Sequence, residues 1–489
     1  MKLSEILNGI NNLKAKGNVD IDIKKIAYDS RKVEPESLFV AIKGFDSDGH
    51  DFITQAIESG ASAILLDNVE KIRNLSLPAD VTFVICDDSR NGLAIASCNF
   101  YGNPSRKFKL IGITGTKGKT TTSYMIKMLL EAAGHKVGLI GTIENYIGED
   151  SLGESVRTTP ESLELQEMFA KMAEAKVDFV VMEVSSQALK LGRVTGSNFD
   201  VGVYTNFSKE HISEKEHTDM EDYFNSKMKL FSMCQTAFIN IDDFRGARVK
   251  REAKASQVKT YGIDNNCDLL AKDITITNVG VDFKARLGDK NERIKVDIPG
   301  RFSVYNSLAA ISVAMYYGVN PEKIKTALEN IKIPGRSELV PNKKELCIMI
   351  DFAHSPESLQ SVLQAVKTYT KGRVIVVFGC GGDRDKGKRP LMGEIAGRIA
   401  DYSIITSDNP RTEKPEDIIK DIEEGISKTK GKYEVIVNRD LAIEKAIKMA
   451  NKKDMIILAG KGHETYQEID GKKYPYNERT IIKEIIDKM

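Results

Sequence analysis

The sequence predicts a three-domain α/β protein because of its length, a glycine-rich loop set between a strand and a helix, and a C-terminal alternation of strands and helices. At 489 residues the chain exceeds the size at which a single hydrophobic core keeps growing. Glycine and proline near 102–104 and 334–335 indicate two boundaries. We therefore expect domains at residues 1–105, 106–335 and 336–489.

Composition is typical of a soluble globular protein, with 41% hydrophobic and 29% charged residues. The 71 basic side chains nearly balance the 70 acidic ones, which gives no reason to expect nucleic acid or a membrane as partner. Glu5 interrupts the apolar stretch that a signal peptide requires, so a cytoplasmic location is expected. The six cysteines form no C-x-x-C pair, which predicts free thiols. A monomer is the working expectation.

The first segment alternates short apolar runs with polar turns, as in "SLFVAIKG", "ASAILLD" and "VTFVICDD", and predicts a small domain. The strand "KLIGIT" then leads into a glycine-rich loop and an amphipathic helix closed by Gly134. A second helix is expected at "TTPESLELQEMFAKM", with Thr159 as its cap and Pro160 in its first turn. It precedes "DFVVMEVSS", an apolar strand of the kind that parallel sheets bury on both faces.

The loop "GTKGKTTT" carries the groups that bind phosphate, although the usual P-loop pattern requires a glycine where this chain has Ile113. Backbone N–H groups at a helix N-terminus attract phosphate, a lysine reaches terminal phosphate oxygens, and a threonine hydroxyl can bind Mg²⁺. We therefore predict a central P-loop-type mononucleotide-binding domain. Its phosphate-binding residues are Gly115, Thr116, Lys117, Gly118, Lys119, Thr120 and Thr121.

A nucleotide site with Mg²⁺ also needs an acidic group, and Glu183 at the end of the strand "VVME" supplies one. His211 lies in the polar stretch "TNFSKEHISEKEHTDM", and a neutral imidazole is a common metal ligand. Taken alone, each residue also fits a solvated surface position. The phosphate loop in the same domain favours the metal-binding interpretation.

The third segment predicts a Rossmann-like domain, because the strands "CIMID", "RVIVVFG", "YSIITSD", "YEVIV" and "DMIILAG" alternate with helices. Four polar stretches follow strands and should share one sheet edge: "DFAHSP", "GCGGDRDKGKRP", "SDNPRTEKP" and "GKGHETY". Arg384 and Arg411 suit a carboxylate or phosphate, while Asp408 and Glu464 suit an ammonium group. A zwitterionic amino acid would satisfy both; ordinary exposed loops are the alternative.

Taken together, these motifs resemble the Mur ligase family, and within it the synthetases that add the third residue of the peptidoglycan stem peptide. The resemblance rests on "YDSRKVEPESLFVAIKG", "GTKGKTTT", "TTP", "MEVSSQAL", "GRFSVYNSLAA" and the four edge loops. Members of this family have a phosphate loop of the form G-T-x-G-K-T, so the resemblance makes Ile113 normal.

The resemblance implies that ATP phosphorylates the terminal carboxylate of a UDP-N-acetylmuramoyl-dipeptide and that an amine then attacks the acyl phosphate. Two Mg²⁺ ions are expected, held by Thr120, Glu183 and His211. Lys227, in "YFNSKMKLF", matches the lysine that CO₂ converts into a carbamate able to bind the second ion. The positions implied around the nucleotide are Asn306, Arg336 and His354.

The substrate residues follow from the same resemblance. Ser30 would contact the uridine nucleotide, and the muramoyl-dipeptide would be held by Thr158, Thr159, Ser185 and Arg193. The incoming diamino acid would be held by Arg384, Asp408, Asn409, Pro410, Arg411, Gly460 and Glu464. In the family, members with an arginine in "DNPR" add meso-diaminopimelate. The second carboxylate of diaminopimelate can pair with the guanidinium, whereas lysine would place its ammonium group against it.

The chain departs from the family pattern at two places. Where many members read D-H-L-D-Y-H, it has Glu210, Ser213 and about two extra residues, and Ser303 replaces a common asparagine. A divergent paralogue, or lysine or lanthionine as acceptor, therefore stays open. So do a folylpolyglutamate synthetase or cyanophycin-type ligase, which should lack "DNPR", and a nucleotide-binding regulatory module that performs no acyl phosphate chemistry.

Overall fold

The computed structural model describes residues 1–73, 78–210, 212–213 and 216–489. These residues form two compact units. The first consists of Met1–Tyr261 with Asn265–Asp268, and the second of Gly262–Asp264 with Leu269–Met489. All six cysteines are free thiols, as the sequence predicts. No helix within the described ranges combines the length and the apolar character needed to cross a membrane.

The N-terminal part of the first unit folds around one sheet, and its elements follow the short apolar runs of the sequence. These elements are α1 (Leu3–Ile6), β1 (Lys14–Lys16), β2 (Lys25–Ala27), β3 (Ser37–Val40), α2 (Ile53–Glu58), β4 (Ala61–Leu66), β5 (Thr82–Ile85) and α3 (Ser89–Phe100). The sheet order is β1-β5-β4-β3-β2, and only β1 pairs antiparallel. β3 is buried along its whole length because apolar side chains cover both faces of the sheet.

The rest of the first unit is built on a larger sheet. Its elements are β6 (Lys109–Thr114), α4 (Lys119–Ala132), β7 (Val137–Ile140), β8 (Glu144–Ile147), β9 (Asp150–Glu154), α5 (Ser162–Glu174), β10 (Phe179–Glu183), α6 (Ser186–Lys190), β11 (Phe199–Tyr204), α7 (Met220–Met228), β12 (Cys234–Asn240), α8 (Gly246–Glu252) and β13 (Gln257–Gly262). The strand order is β13-β12-β11-β6-β10-β7-β8-β9. β6 lies between the parallel strands β11 and β10, so the loops that follow these three strands meet at one edge.

The expected capping of α5 is wrong. The helix begins at Ser162, and Glu161 precedes it without a side-chain cap. Thr159 instead donates its hydroxyl hydrogen to the Glu183 carbonyl at 2.9 Å and accepts from the Ser185 N–H at 3.0 Å. These bonds attach the "TTP" stretch to the end of β10, which takes Thr159 away from the helix terminus.

The second unit begins with a small antiparallel sheet in the order β15-β16-β17, and two helices follow it. Its elements are β14 (Leu269–Leu270), β15 (Lys272–Ile276), β16 (Val281–Leu287), β17 (Lys290–Val296), α9 (Arg301–Tyr316) and α10 (Pro321–Glu329). α9 is buried on most of its surface because its sequence is apolar or small on nearly every side.

The C-terminal part of the second unit contains the predicted alternation of strands and helices. Its elements are β18 (Glu338–Leu339), β19 (Cys347–Asp351), α11 (Pro356–Tyr369), β20 (Val374–Phe378), α12 (Lys388–Ile399), β21 (Tyr402–Ile405), α13 (Pro415–Ile426), β22 (Tyr433–Val435), α14 (Arg439–Met449), β23 (Met455–Ala459), β24 (Tyr466–Ile469), β25 (Lys472–Pro475) and α15 (Glu478–Lys488). The sheet order is β18-β19-β23-β20-β21-β22, and every pair except β18 with β19 is parallel. The predicted parallel sheet is confirmed.

Both faces of this sheet are buried. Along β20, Val374, Val376 and Phe378 pack into one apolar cluster, whereas Ile375 and Val377 pack into the other. Because the strands run parallel, the four polar stretches that follow β19, β20, β21 and β23 lie at the same edge, as expected from the sequence.

Candidate active site

The loop between β6 and α4 has a fixed shape that requires glycine. Gly115 has φ 151° and Gly118 has φ 82°, and a Cβ atom on Gly115 would lie 1.9 Å from Thr205 Oγ1. Residues after β11 hold the loop: Thr205 Oγ1 donates to the Lys117 carbonyl at 2.7 Å, and Asn206 Oδ1 accepts from the Lys117 N–H at 2.9 Å. The loop is therefore preorganised without the glycine that Ile113 replaces in the usual pattern.

Thr120 and Glu183 lie side by side at the end of this loop. Thr120 Oγ1 donates to Glu183 Oε2 at 3.0 Å, and the N–H of Thr142 donates to Oε1 at 2.8 Å. Glu183 is 1% exposed, and a Cβ atom on Gly141 would lie 2.4 Å from its carboxylate. Within the described ranges no larger group of acidic, histidine or cysteine side chains has metal-binding geometry. Nucleotide-bound Mg²⁺ needs only one or two carboxylates with phosphate oxygens, so this pair fits the ion.

Lys227 lies on α7, only 1% exposed, and reaches the same loop. Its Nζ donates to the Gly115 carbonyl at 2.8 Å and lies 4.3 Å from the ring centre of Tyr223. Burial, together with repulsion from Lys119, lowers the pKa of Lys227 well below its usual value. Lys119 itself donates to the carbonyls of Gly115 and Thr116, each at 3.0 Å. These surroundings therefore disfavour the charged form of Lys227 relative to an exposed lysine, and the neutral amine is the form that reacts with CO₂.

A cavity of about 300 Å³ lies beside these groups in the first unit. Six of the residues singled out in the sequence line it: Lys119, Thr158, Thr159, Ser185, Arg193 and Lys227. Their convergence supplies hydroxyl, guanidinium and amine groups in one concave place, which is the usual character of a polar substrate site.

Hydrogen bonds fix the side chains that line this cavity. Ser185 caps α6 by accepting from the Ala188 N–H at 3.1 Å, and Thr158 Oγ1 lies 3.1 Å from the hydroxyl oxygen of Thr142. Arg193 donates from Nε to Glu161 Oε1 at 2.9 Å. Ser30, by contrast, does not line the cavity; it lies in the N-terminal part of the first unit and donates to Gln55 Oε1 at 2.9 Å.

Five residues that line this cavity were not predicted from the sequence: Arg157, Ser186, Gln187, Glu216 and His217. His217 lines the cavity, with Nε2 at 3.0 Å from Ser186 Oγ and Nδ1 at 3.4 Å from Asp222 Oδ2, and burial lowers its pKa. Its position at the end of the altered "EHISEKEH" stretch, where the family pattern has a second histidine, was the available signal. Arg157 also lines the cavity and lies 3.5 Å from Glu161. The predicted metal ligand His211 lies outside the described residues.

Of the three positions implied near the nucleotide in the second unit, two contact the same residue, Phe352. The Arg336 guanidinium lies 5.0 Å from the ring centre of Phe352, and the Phe352 carbonyl accepts from His354 Nδ1 at 2.9 Å. Asn306 lies buried within α9. Their role at a nucleotide stays a prediction.

At the edge of the C-terminal sheet, an ammonium group of the chain itself occupies the place expected for a ligand. Lys461 is completely buried, donates to Asn409 Oδ1 at 3.0 Å, and lies 3.4 Å from Glu464 and 4.0 Å from Asp408. Burial and the Asp408 charge raise the pKa of Glu464. A Cβ atom on Gly460 would lie 2.3 Å from Asp408 Oδ2, so this loop also needs glycine. The sequence pattern predicts these acids at the site but does not predict Lys461.

The two predicted arginines of this edge flank the same glycine. A Cβ atom on Gly381 would lie 2.9 Å from Arg411 Nη1 and 3.7 Å from Arg384 Cγ. Arg384 is exposed, whereas Arg411 is partly buried. The Pro410 carbonyl oxygen lies close to Gly382. A Cβ atom on Gly382 would be 1.9 Å from this oxygen, so this position also needs glycine.

A rigid phosphate-binding loop with a metal-competent hydroxyl and carboxylate, next to a polar cavity, defines the class of nucleotide-dependent enzymes. Family models extend this conclusion along the chain. The Mur ligase family catalytic domain matches residues 22–101, the Mur ligase middle domain matches 113–314, and the Mur ligase glutamate ligase domain matches 335–462. One match falls in each predicted domain, while the predicted boundaries themselves stay a prediction.

The chain is also similar to curated ligases over its full length. A UDP-N-acetylmuramoyl-L-alanyl-D-glutamate–2,6-diaminopimelate ligase of Caldanaerobacter subterraneus is 48% identical over 99% of both chains. A ligase of the same name, numbered 1, from Clostridium acetobutylicum is 46% identical over 100% of both chains. A solved structure of a ligase with this name superposes with a TM-score of 0.71 at 28% identity, covering 100% of this chain and 99% of the other. The chain belongs to the Mur ligase family, and it is an ATP-dependent ligase that forms amide bonds.

Proposed function

We propose that the chain joins 2,6-diaminopimelate to UDP-N-acetylmuramoyl-L-Ala-D-Glu during peptidoglycan precursor synthesis, with ATP converted to ADP and phosphate. The observation that carries this proposal is Arg411 in "DNPR", in a chain 48% identical to a ligase named for that reaction. Diaminopimelate has a second carboxylate for this guanidinium, whereas lysine would present an ammonium group to it. The sheet edge near Arg411 also carries buried acids suited to an amino group.

The phosphate loop performs the first half of the proposed reaction. Its N–H groups and Lys119 hold ATP phosphates, while Arg193, Thr159 and Ser185 orient the dipeptide so that its terminal carboxylate meets the γ-phosphorus. A carboxylate oxygen forms the new bond to phosphorus as the bond to ADP breaks, and Lys119 stabilises the charge on the transferred group. Mg²⁺, when bound at Thr120 and Glu183, supplies further charge neutralisation.

Lys227 has the environment for its proposed modification. A neutral amine attacks CO₂ and loses one proton, which gives a carbamate anion in place of an ammonium. The lowered pKa of Lys227 increases the fraction of neutral amine relative to an exposed lysine. The resulting anion would lie beside Lys119 and the loop carbonyls, and a second Mg²⁺ bound by the carbamate would offset its charge. The second half of the reaction is attack of the acceptor's amine on the acyl phosphate, with release of phosphate.

We also propose that the protein acts as a monomer, in the cytoplasm where ATP is available. Light scattering behind a size-exclusion column tests the oligomeric state. A stable dimer at micromolar concentration would contradict the monomer.

The main experiment supplies the purified protein with Mg²⁺-ATP and UDP-N-acetylmuramoyl-L-Ala-D-Glu, and measures phosphate release and product mass. The acceptors are meso-diaminopimelate, L-lysine, lanthionine or none. We expect turnover with diaminopimelate and a product of the corresponding tripeptide mass. Turnover only with lysine or lanthionine would change the assigned acceptor but would still support the proposed ligation. Nucleotide binding without turnover on any acceptor would favour a divergent paralogue or a regulatory module.

A further inference from the structure

The hairpin formed by β24 and β25 holds Arg411 through both its backbone and its side chain. The Arg411 N–H donates to the Glu468 carbonyl at 3.0 Å, and the Arg411 carbonyl accepts from the Asp470 N–H at 2.7 Å. Arg411 Nε donates to Glu468 Oε2 at 3.1 Å. Arg411 has φ 52°, a left-handed conformation that a non-glycine residue adopts only when its surroundings fix it. Glu468 therefore fixes the position of Arg411 at two points.

The contacts leave a defined part of the guanidinium for a ligand. Nε is bonded to Glu468, and Nη1 donates one hydrogen to the Gly382 carbonyl at 2.7 Å. Within the part of the chain that the structure describes, Nη2 makes no hydrogen bond. Because the Nε side is already taken, the Nη1–Nη2 end of the fork, which includes Nη2, is the part left for a carboxylate.

The ion pair itself adds little to folding. The Arg411 and Glu468 side chains are 21% and 25% exposed, and partly exposed pairs contribute little stability because water screens them. Holding two long side chains in one geometry costs conformational entropy. Orientation of the guanidinium is the effect that this geometry provides.

We propose that Glu468 is a positioning residue that determines acceptor specificity: it turns Arg411 so that the Nη1–Nη2 end receives the distal carboxylate of a diamino dicarboxylic acid. This inference rests on the proposed function. Without Glu468 the guanidinium rotates among several rotamers, and only a fraction of them present the receiving end. Affinity for the acceptor then falls, while ATP, the dipeptide and the chemical step are unaffected.

The test is a set of hairpin variants assayed for ligation with diaminopimelate. Glu468→Ala should raise KM for diaminopimelate about tenfold and leave kcat and the KM for ATP within about twofold, because loss of positioning acts on binding. Glu468→Asp shortens the side chain and keeps the charge, so it should raise KM about threefold to tenfold. Glu468→Gln keeps an oxygen acceptor at the same reach and should stay within about threefold of wild type.

Asp470→Asn is the matched control, because it removes one negative charge from the same hairpin and its side chain makes no contact with Arg411. It should leave every parameter within about twofold of wild type, as expected for an exposed substitution. Glu468→Ala and Glu468→Asp with unchanged KM for diaminopimelate would overturn the inference, as would an equal rise in KM for all substrates. Wild-type protein without any ligation of diaminopimelate would overturn the proposed function instead.

Discussion

Two buried lysines, one in each unit, have opposite surroundings. Lys461 sits among oxygen atoms of acids and an amide: Asn409 at 3.0 Å, Glu464 at 3.4 Å and Asp408 at 4.0 Å. Lys227 donates to the Gly115 carbonyl and faces a tyrosine ring, and the neighbouring Lys119 repels its charge. Both are essentially inaccessible to water.

The difference shows how one residue type serves two purposes. A buried ammonium is stable only where anions compensate for lost hydration, and Lys461 has them. Lys227 has less compensation, and burial with repulsion from Lys119 lowers its pKa well below the usual value. The neutral amine, which this shift favours, is the form that reacts with CO₂. The first unit thus has a buried lysine whose surroundings lower its pKa, and the second has a buried lysine that lies among acids and an amide oxygen.

The largest expected effect is the loss of activity in Lys227→Arg. A guanidinium keeps its proton at every accessible pH and cannot form a carbamate, so phosphate release with all substrates should fall about a thousandfold. Lys229→Arg, two residues along the chain and bonded to the Leu189 carbonyl, is the control and should stay near wild type. More than a tenth of wild-type turnover in Lys227→Arg would end the proposed role of Lys227.

The next effect concerns stability and Lys461. Lys461→Met fills a similar volume but leaves Asp408 and Glu464 without their cation, so unfolding free energy should fall by about 3 kcal/mol in urea titrations. Lys472→Met, on the exposed β25, should change it by less than about 0.5 kcal/mol. An unchanged urea midpoint for Lys461→Met would show that the acids do not depend on this lysine.

The lowered pKa of Lys227 should also affect how protein stability depends on pH. In the unfolded chain Lys227 holds its proton up to about pH 10.4, whereas the folded state favours the neutral amine. The unfolded state therefore binds more protons above the lowered pKa, and stability rises with pH. Between pH 7 and 10, in CO₂-free buffer, wild type should gain stability relative to Lys227→Met, by up to about 1.4 kcal/mol for each pH unit above the lowered pKa. Equal slopes in the two proteins would contradict a lowered pKa.

Much of this comparison could be predicted from local sequence, because the relevant signals lie close together in the chain. The glycines, lysine and threonines of the phosphate loop are consecutive, and the parallel strands are continuous apolar runs. Glu183 could be placed near Thr120 because both follow neighbouring parallel strands. Such features depend on backbone conformation and on burial of whole segments, which short stretches of sequence encode.

The remaining features depend on contacts between distant residues. Lys461 meets Asn409 across 52 residues, and nothing near Lys461 in the sequence distinguishes it from a surface lysine. Thr159 resembles a helix cap, but its hydroxyl bonds to the Glu183 carbonyl 24 residues away. Likewise, the contact between Glu468 and Arg411, 57 residues apart, could not be predicted from the sequence around either residue. Partners of buried polar groups follow from tertiary structure, so the sequence pattern alone does not predict them.

The smallest expected effect concerns His463. It tests whether the charged groups around a buried basic side chain determine its pKa. His463 lies two residues from Lys461, yet burial and the charges of Arg336 and Arg479 lower its pKa to about 4. The unfolded histidine takes up protons below about pH 6.5 while the folded one does not, so stability falls as the pH falls. Between pH 6.5 and 5.5, wild type should lose up to about 1.4 kcal/mol more than His463→Gln in urea titrations. A variant that loses as much as wild type over this range would show that folding does not lower the pKa of His463.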